Sequence, residues 1–190
     1  MKSEKLTVRP LTSKNWRDFE AVMTPNGGSR GCWCMHWRLS IAEFMDQRGD
    51  GNRDAMSRLA KKKSPPGVIG YLDGEPVAWC SLGPRAAFPR LERSPLLKAV
   101  DDDGACAITC LFVQRKHRRN GLQTALLEAA CSYAAKNGYE LVEGYPIEPP
   151  RGKRAGSDTA MTGIASAFRN AGFNEVARPR KDRPIMRKQL

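Results

Sequence analysis

The stretch Cys110-Leu-Phe-Val-Gln-Arg-Lys-His-Arg-Arg-Asn-Gly-Leu-Gln-Thr-Ala-Leu-Leu127 decides the fold of this 190-residue chain. A short apolar run leads into a loop rich in Arg and Lys, and a run with helical spacing follows. The first N–H groups of a helix lack internal partners and lie at the positive end of its dipole, so a strand that opens a helix through a cationic turn favours phosphate. The sequence predicts a phosphorylated ligand at residues 118–124. A basic helix N-terminus that binds nothing is the alternative.

The loop itself narrows the choice of ligand. Neither the P-loop pattern Gly-x4-Gly-Lys-Ser/Thr nor the dinucleotide pattern Gly-x-Gly-x-x-Gly is present. The run Arg118-Arg-Asn-Gly-Leu-Gln123 resembles instead the Arg/Gln-x-x-Gly-x-Gly/Ala loop of the GCN5-related N-acetyltransferase (GNAT) superfamily, which holds the pyrophosphate of acetyl-CoA. Val113 lies five residues before Arg118, as in that family. Gln123 departs from the pattern, since a side chain there would narrow the approach of the backbone to phosphate.

This resemblance implies a set of residues that bind acetyl-CoA as co-substrate. Two groups are expected, one on the strand for the pantetheine arm and one on the loop and helix for the pyrophosphate. They are Leu111, Phe112 and Val113 in the first group and Arg118, Arg119, Asn120, Gly121, Leu122, Gln123 and Thr124 in the second.

Hydrophobic patterning along the rest of the chain predicts a single α/β (α+β) domain spanning residues 1–190. The element order is β-α-α-β-β-β-α-β-α-β-β, which matches the GNAT fold with a mixed central sheet of about seven strands. Among these elements, Asp73-Gly74 predicts a tight hairpin. Residues 139–145 predict the fifth strand, and residues 158–171 predict the last helix.

The charge and the cysteine content limit which partners and which cellular compartment can be expected. A net charge of +12 favours anionic partners. Nucleic acid is disfavoured because no recognisable module or interleaved aromatic residues accompany the charge. The N-terminus predicts no signal peptide, and no run reaches the ~18 apolar residues of a membrane span. The six cysteines are scattered rather than spaced as a disulfide framework, which is typical of free thiols in a reducing compartment. A cytoplasmic protein with no membrane partner is therefore expected.

Catalytic candidates come from the fifth strand. By strand parity Glu143 shares a face with Leu141 and Tyr145, and a carboxylate beside apolar groups gains basicity, so Glu143 is the predicted general base. An ion pair with one of the many arginines is the alternative. Relatives often carry a Tyr in the last helix where Phe168 stands here. Tyr145 is therefore the predicted general acid. The alternatives are Cys110, solvent, or a reaction without an acid, since a thiol of pKa near 8.5 can leave as thiolate.

A second unusual run, Gly31-Cys-Trp-Cys-Met-His-Trp-Arg38, predicts a wall of the acceptor site. The spacing of Cys32, Cys34 and His36 fits no common zinc pattern, so no metal is predicted. The predicted acceptor-binding residues are Trp33, His36, Trp37 and Trp79. Two tryptophans in a core beneath a loop are the alternative. The run resembles a bacterial GNAT subgroup with a Cys-Trp-Cys-x-x-Trp-Arg pattern.

Taken with the resemblance, these residues predict an N-acetyltransferase in which an amine attacks acetyl-CoA directly in a ternary complex. The acceptor is a small-molecule or peptide amine of open identity, and a homodimer is left open. A catalytically idle acyl-CoA sensor is the main alternative, since Phe168 replaces the usual acid. A basic nucleic-acid-binding protein is the third.

Overall fold

A seven-stranded sheet with the order β1-β2-β3-β4-β5-β7-β6 organises the protein. The computed structural model describes residues 6–24, 30–101, 104–153, 155–156 and 159–190. Neighbouring strands are antiparallel except β4 and β5, which are parallel. The mixed sheet predicted from sequence is confirmed. The strands are β1 (Thr7–Pro10), β2 (Gly67–Leu72), β3 (Glu75–Pro84), β4 (Cys106–Val113), β5 (Leu141–Gly144), β6 (Asn174–Arg180) and β7 (Arg183–Gln189).

Helices cover both faces of this sheet. They are α1 (Trp16–Met23), α2 (Ile41–Asp46), α3 (Asp50–Ala60), α4 (Pro89–Glu92), α5 (Leu122–Lys136) and α6 (Ala165–Asn170). Between β1 and β2 the described chain forms three helices rather than the two of the predicted order. Helix α2 is short but well started, because Ser40 and Glu43 form a reciprocal capping box. None of the described helices is long and apolar enough to cross a membrane.

The β2–β3 hairpin turns at Asp73-Gly74, as its sequence predicts. Both residues take positive φ angles, 49° and 85°, which suit a two-residue turn whose twist matches the flanking strands. The hairpin brings Trp79 of β3 opposite Ile69 of β2 and opposite Phe112 of β4. Residues near the carboxyl end of β4 are therefore held in register by the centre of the sheet.

The core is divided by the sheet. Helices α5 and α6 bury one face, whose strand residues include Cys80, Ile108, Leu111 and Val142. Helices α1 and α3 bury the opposite face around Trp79. A third cluster on that second face lies under the segment between β3 and β4 and contains Tyr145.

The last predicted helix, residues 158–171, is wrong in its extent. Asp158 lies outside the described residues, and the chain forms a 3-10 turn at Thr159–Thr162 before α6 begins at Ala165. Gly163 separates the two with a φ of 91°, which ends any continuous helix. A Cβ at this position would lie 2.7 Å from Leu111 Cδ1 and 2.6 Å from Phe168 Cε2. The glycine therefore lets this segment pass close above β4.

Candidate functional site

Strands β4 and β5 separate near the middle of β4. Their pairing ends at Ile108 and Gly144, whereas β4 stays paired with β3 as far as Val113. The β5 side of residues 109–113 is thus free of strand pairing in the described chain. This separation opens the sheet between its two central strands, where backbone groups can meet a ligand.

A bulge accompanies the separation. The register of β3 with β4 shifts between Ser81 and Leu82, which pair with Cys110 and Ile108 and leave Thr109 as the extra residue. A one-residue bulge reverses the side-chain alternation that follows it. Leu111 therefore joins Ile108 on the α5 face, while Cys110 points to the opposite face beside Cys34, with the two Sγ atoms 3.2 Å apart.

A pocket of about 860 Å³ occupies the opening. Its walls are the end of β4, the loop and first turn of α5, the segment after β5 and the start of α6. Residues predicted for cofactor binding that line it are Leu111, Phe112, Val113, Arg118, Arg119, Gly121, Leu122, Gln123 and Thr124. Asn120 is exposed and does not line the pocket.

The N-terminus of α5 presents unpartnered donors to this pocket. Its cap residue, Gly121, has a φ of 73° and supplies no side-chain cap. Arg119 also takes a positive φ, 70°, and Arg118 Nε donates to the Val113 carbonyl at 2.8 Å. The turn therefore folds back on β4 and leaves the first helical N–H groups facing the opening.

Basic side chains surround the same end of the pocket. Arg115, His117, Arg118 and Arg119 come from the predicted loop, and the lining also includes Arg30 and Lys153. His117 Nε2 is buried without a hydrogen-bond partner in the described chain, which is typical of an atom that awaits a ligand. Sequence reasoning missed Lys153. The basic loop after β5 was the available signal, but such loops are usually solvated surface.

Gln123 lines the pocket, and its side-chain amide is engaged by a neighbouring segment. Its Oε1 accepts the Ile164 N–H at 3.1 Å, which ties the first turn of α5 to the start of α6. The side chain is thereby held by the neighbouring helix. A small residue at this position would lack that link.

Glu143 and Tyr145 lie together, but away from the large pocket. Tyr145 donates to Glu143 Oε1 at 2.5 Å, Arg85 Nη1 donates to the same oxygen at 3.3 Å, and Arg187 Nε donates to Oε2 at 2.7 Å. Arg187 also binds Asp101, and Arg85 pairs with Glu92. Of these groups, all but Tyr145 line a separate cavity of about 190 Å³.

This network corrects the expected surroundings of both catalytic candidates. Glu143 is 2% exposed and both its oxygens accept from cations, as in the ion-pair alternative. Burial, followed by the charge of Glu143, raises the pKa of Tyr145 far above its usual value, so its phenol holds its proton strongly. Phe168 cannot act as a general acid, because its side chain has no acidic proton. Its fully buried ring packs at 4.9 Å on Phe173.

The four predicted acceptor residues fall into two groups. Trp79 is fully buried against Phe19, and Trp33 is buried beside Trp16, so both belong to the core. The structure thus corrects the prediction for these two. His36 and Trp37 are half-buried and pack edge to face at 5.0 Å.

His36 lies among arginines. Arg90 Nη1 is 3.3 Å from His36 Nδ1 and also from its carbonyl oxygen. Because a guanidinium only donates, Nδ1 must accept and the ring is neutral. Burial, then Arg90 and Arg183, lower the pKa of His36 to about 4. Among the described residues no group of three or more His, Cys, Asp or Glu side chains could hold a metal ion.

The chain matches a known protein family by sequence. A family model described as "Acetyltransferase (GNAT) family" matches residues 33–145. A search among curated proteins finds no match by sequence.

Solved structures share the fold at low identity. An AAC(6')-Ib structure with ribostamycin and coenzyme A has 16% identity and a TM-score of 0.57, covering 98% of this chain and 94% of that one. The PaiA N-acetyltransferase of Thermoplasma acidophilum with coenzyme A has 12% identity and a TM-score of 0.54, covering 98% and 99%. An acetyltransferase of Thermus thermophilus has 13% identity and a TM-score of 0.54, covering both chains completely, 100% each.

Proposed function

Because this chain belongs to the acetyltransferase (GNAT) family, we propose that it transfers an acetyl group from acetyl-CoA to an amine. The observation that carries the proposal is the pocket between β4 and β5, which combines an apolar strand edge with a cationic, uncapped helix N-terminus. Pantetheine needs the first and pyrophosphate needs the second. Two of the neighbouring structures, the AAC(6')-Ib complex with ribostamycin and PaiA, contain coenzyme A.

The residues divide the work along the pocket. Arg118, Arg119 and the first N–H groups of α5 hold the pyrophosphate, with Lys153 closing over it from the opposite wall. Backbone groups of Leu111 and Val113 hold the pantetheine arm. The thioester then lies near the bulge, where an unpaired backbone N–H of β4 can polarise its carbonyl.

Transfer forms a C–N bond and breaks the C–S bond, so the amine must lose a proton and CoA leaves as a thiolate. A thiol with a pKa near 8.5 leaves without an acid. For the proton of the amine we keep two hypotheses. Glu143 is one, although its oxygens are already occupied; transfer to water from an amine that arrives neutral is the other.

An idle acyl-CoA sensor is the second candidate function. It is favoured by the burial of Phe168 and by the engagement of Glu143 and Tyr145 in an internal network. Both functions require acetyl-CoA to bind, and turnover with an amine separates them.

Thermal unfolding with acetyl-CoA, beside ATP and NAD as phosphate controls, tests the shared premise. A ligand at ~100 times its dissociation constant adds about 2.7 kcal/mol, which for a chain of this size raises Tm by about 5–10 °C. A shift with acetyl-CoA alone supports the proposal. Equal shifts with all three ligands would reduce the pocket to a general anion site. Salt-sensitive DNA binding that CoA fails to displace would favour the nucleic-acid alternative.

A further inference from the structure

We propose that the acceptor is an amine that also carries a carboxylate, and that Arg90, Arg183 and His36 bind this carboxylate. The inference rests on the proposed function, because it concerns the acceptor of the same reaction. It names the chemical class that the family match and the fold leave open. Free amino acids and peptides with a free C-terminus both belong to this class.

The three side chains come from separate parts of the chain. Arg90 belongs to α4 and contacts His36 from the run after the first helix. Arg183 opens β7 and donates from Nη1 to the Tyr145 carbonyl at 3.1 Å and to Thr162 Oγ1 at 2.8 Å. Leu91, next to Arg90, and Trp37, next to His36, pack in one cluster with Tyr145, whose carbonyl accepts from Arg183. The fold therefore gathers them at the end of β5.

None of the three side chains lines the large pocket, but they are connected to residues that do. Met161 lines the pocket, and the adjacent Thr162 accepts from Arg183. Cys110 lines it as well and contacts Cys34, two residues before His36. On the proposed function, an acceptor whose carboxylate binds this cluster would reach the thioester past Cys110 and Met161, which line the pocket.

The cluster lacks an anion of its own. Neither Arg90 nor Arg183 forms an ion pair with a carboxylate of the described residues. The nearest acid to Arg183, Asp182, is held by Arg180 at 2.6 and 3.0 Å. The positive charges of Arg90, which contacts the ring, and of Arg183 repel a protonated His36. A bound carboxylate relieves that repulsion and adds charge-assisted hydrogen bonds.

The same charges act against a polycation. Kanamycin and ribostamycin, present in the AAC(6')-Ib structures, carry several ammonium groups. Such an acceptor would bring these groups against Arg90 and Arg183. We therefore expect this chain to discriminate against the acceptor class of those neighbours, despite the shared fold.

Matched acceptors test the proposal on the unmodified protein. Leucine is compared with leucinamide, and alanyl-leucine with alanyl-leucinamide, with kanamycin and cadaverine as polycations and product measured by mass spectrometry. An amide has a less basic amine, so a preference for the acid runs against intrinsic reactivity. We expect kcat/KM to favour the carboxylate member of at least one pair by about 10- to 100-fold, the value of one or two charge-assisted bonds. The two pairs distinguish a free amino acid from a peptide.

Arg90→Ala should abolish that preference by lowering kcat/KM for the carboxylate acceptors, and Arg90→Lys should restore part of it. Arg93→Ala, at an exposed arginine three residues later, is the matched control and should behave as the unmodified protein. Equal or better use of the amides or polycations would overturn the inference and leave the proposed function standing.

Binding of product decides the matter if no acceptor turns over. N-acetyl-leucine and its amide are titrated into the CoA-loaded protein, and the His36 ring is followed by NMR. Preferred binding of the acid, with a rise in the pKa of His36, supports the inference. Absence of that preference refutes it, whereas failure of acetyl-CoA itself to bind counts against the proposed function alone.

Discussion

Replacing Glu143 by Ala distinguishes a structural carboxylate from a catalytic base. The change removes the acceptor of three donors, Arg85, Tyr145 and Arg187, in a site that is 2% exposed. Breaking a buried pair by removing one partner costs about 3–5 kcal/mol. Both arginines keep another carboxylate, so we expect the low end, about 3 kcal/mol. For a chain of this length that lowers Tm by about 6–12 °C.

The assay is thermal unfolding followed by circular dichroism, with acetyl transfer measured on the same samples below the transition. Glu148→Ala is the matched control, because Glu148 also pairs with two arginines, Arg169 and Arg178, but its side chain is 30% exposed. There we expect a loss of no more than about 1 kcal/mol. A Glu143→Ala protein that melts within a degree or two of the unmodified chain but has lost turnover would refute the structural assignment and support the base.

Other consequences concern the pocket and its surroundings. Arg118→Ala should weaken acetyl-CoA binding by about 10- to 100-fold in calorimetry; Lys116→Ala, in the same loop but outside the pocket lining, should not, and equal losses would contradict the assigned phosphate contact. Gly163→Ala should cost about 2–5 kcal/mol from its positive φ and the overlap of its new methyl group. Gly152→Ala, at a φ of 76° with open space around it, should lose only the conformational part in the same unfolding assay. His36 has a pKa lowered from 6.5 to about 4 in the folded protein, so the unfolded chain binds more protons between these values and stability should fall as pH falls through them. Denaturant unfolding of His36→Asn should show a shallower loss over the same pH range; an unchanged slope would exclude this contribution.

Patterns within short stretches of the sequence were enough to predict the sheet and the pocket. The strand, basic loop and helix of residues 110–127 lie next to one another in the chain, so their arrangement follows from neighbouring residues and helix-end physics. The Asp73-Gly74 turn is local in the same way. A two-residue hairpin turn depends on the two turn residues, and both take the positive φ angles that it requires. Such features need no knowledge of distant partners.

Side-chain roles that depend on distant segments could not be predicted. Strand parity correctly put Glu143 and Tyr145 on one face, but the arginines that occupy Glu143 come from the segment after β3 and from β7. The bulge at Thr109 has no clear signal in its residues, although it decides which way Cys110 points. Trp79 illustrates the limit, since its ring fits a pocket wall and a core equally well until helix α1 is placed against it.

The position of Cys110 has a practical consequence for anyone who measures this reaction. Released CoA is commonly counted with aromatic disulfides that react with free sulfhydryl groups, and Cys110, a free and only partly buried cysteine, lines the pocket. Labelling of Cys110 would add to the optical signal from released CoA and would also obstruct the pocket. Burial raises the pKa of the Cys32, Cys80, Cys106 and Cys131 thiols, and the buried thiol of Cys34 donates a hydrogen bond to Cys110 Sγ, so these five should react slowly. Chromatographic detection of the acetylated product, or a Cys110→Ala background for colorimetric work, avoids a false baseline and a self-inhibited enzyme.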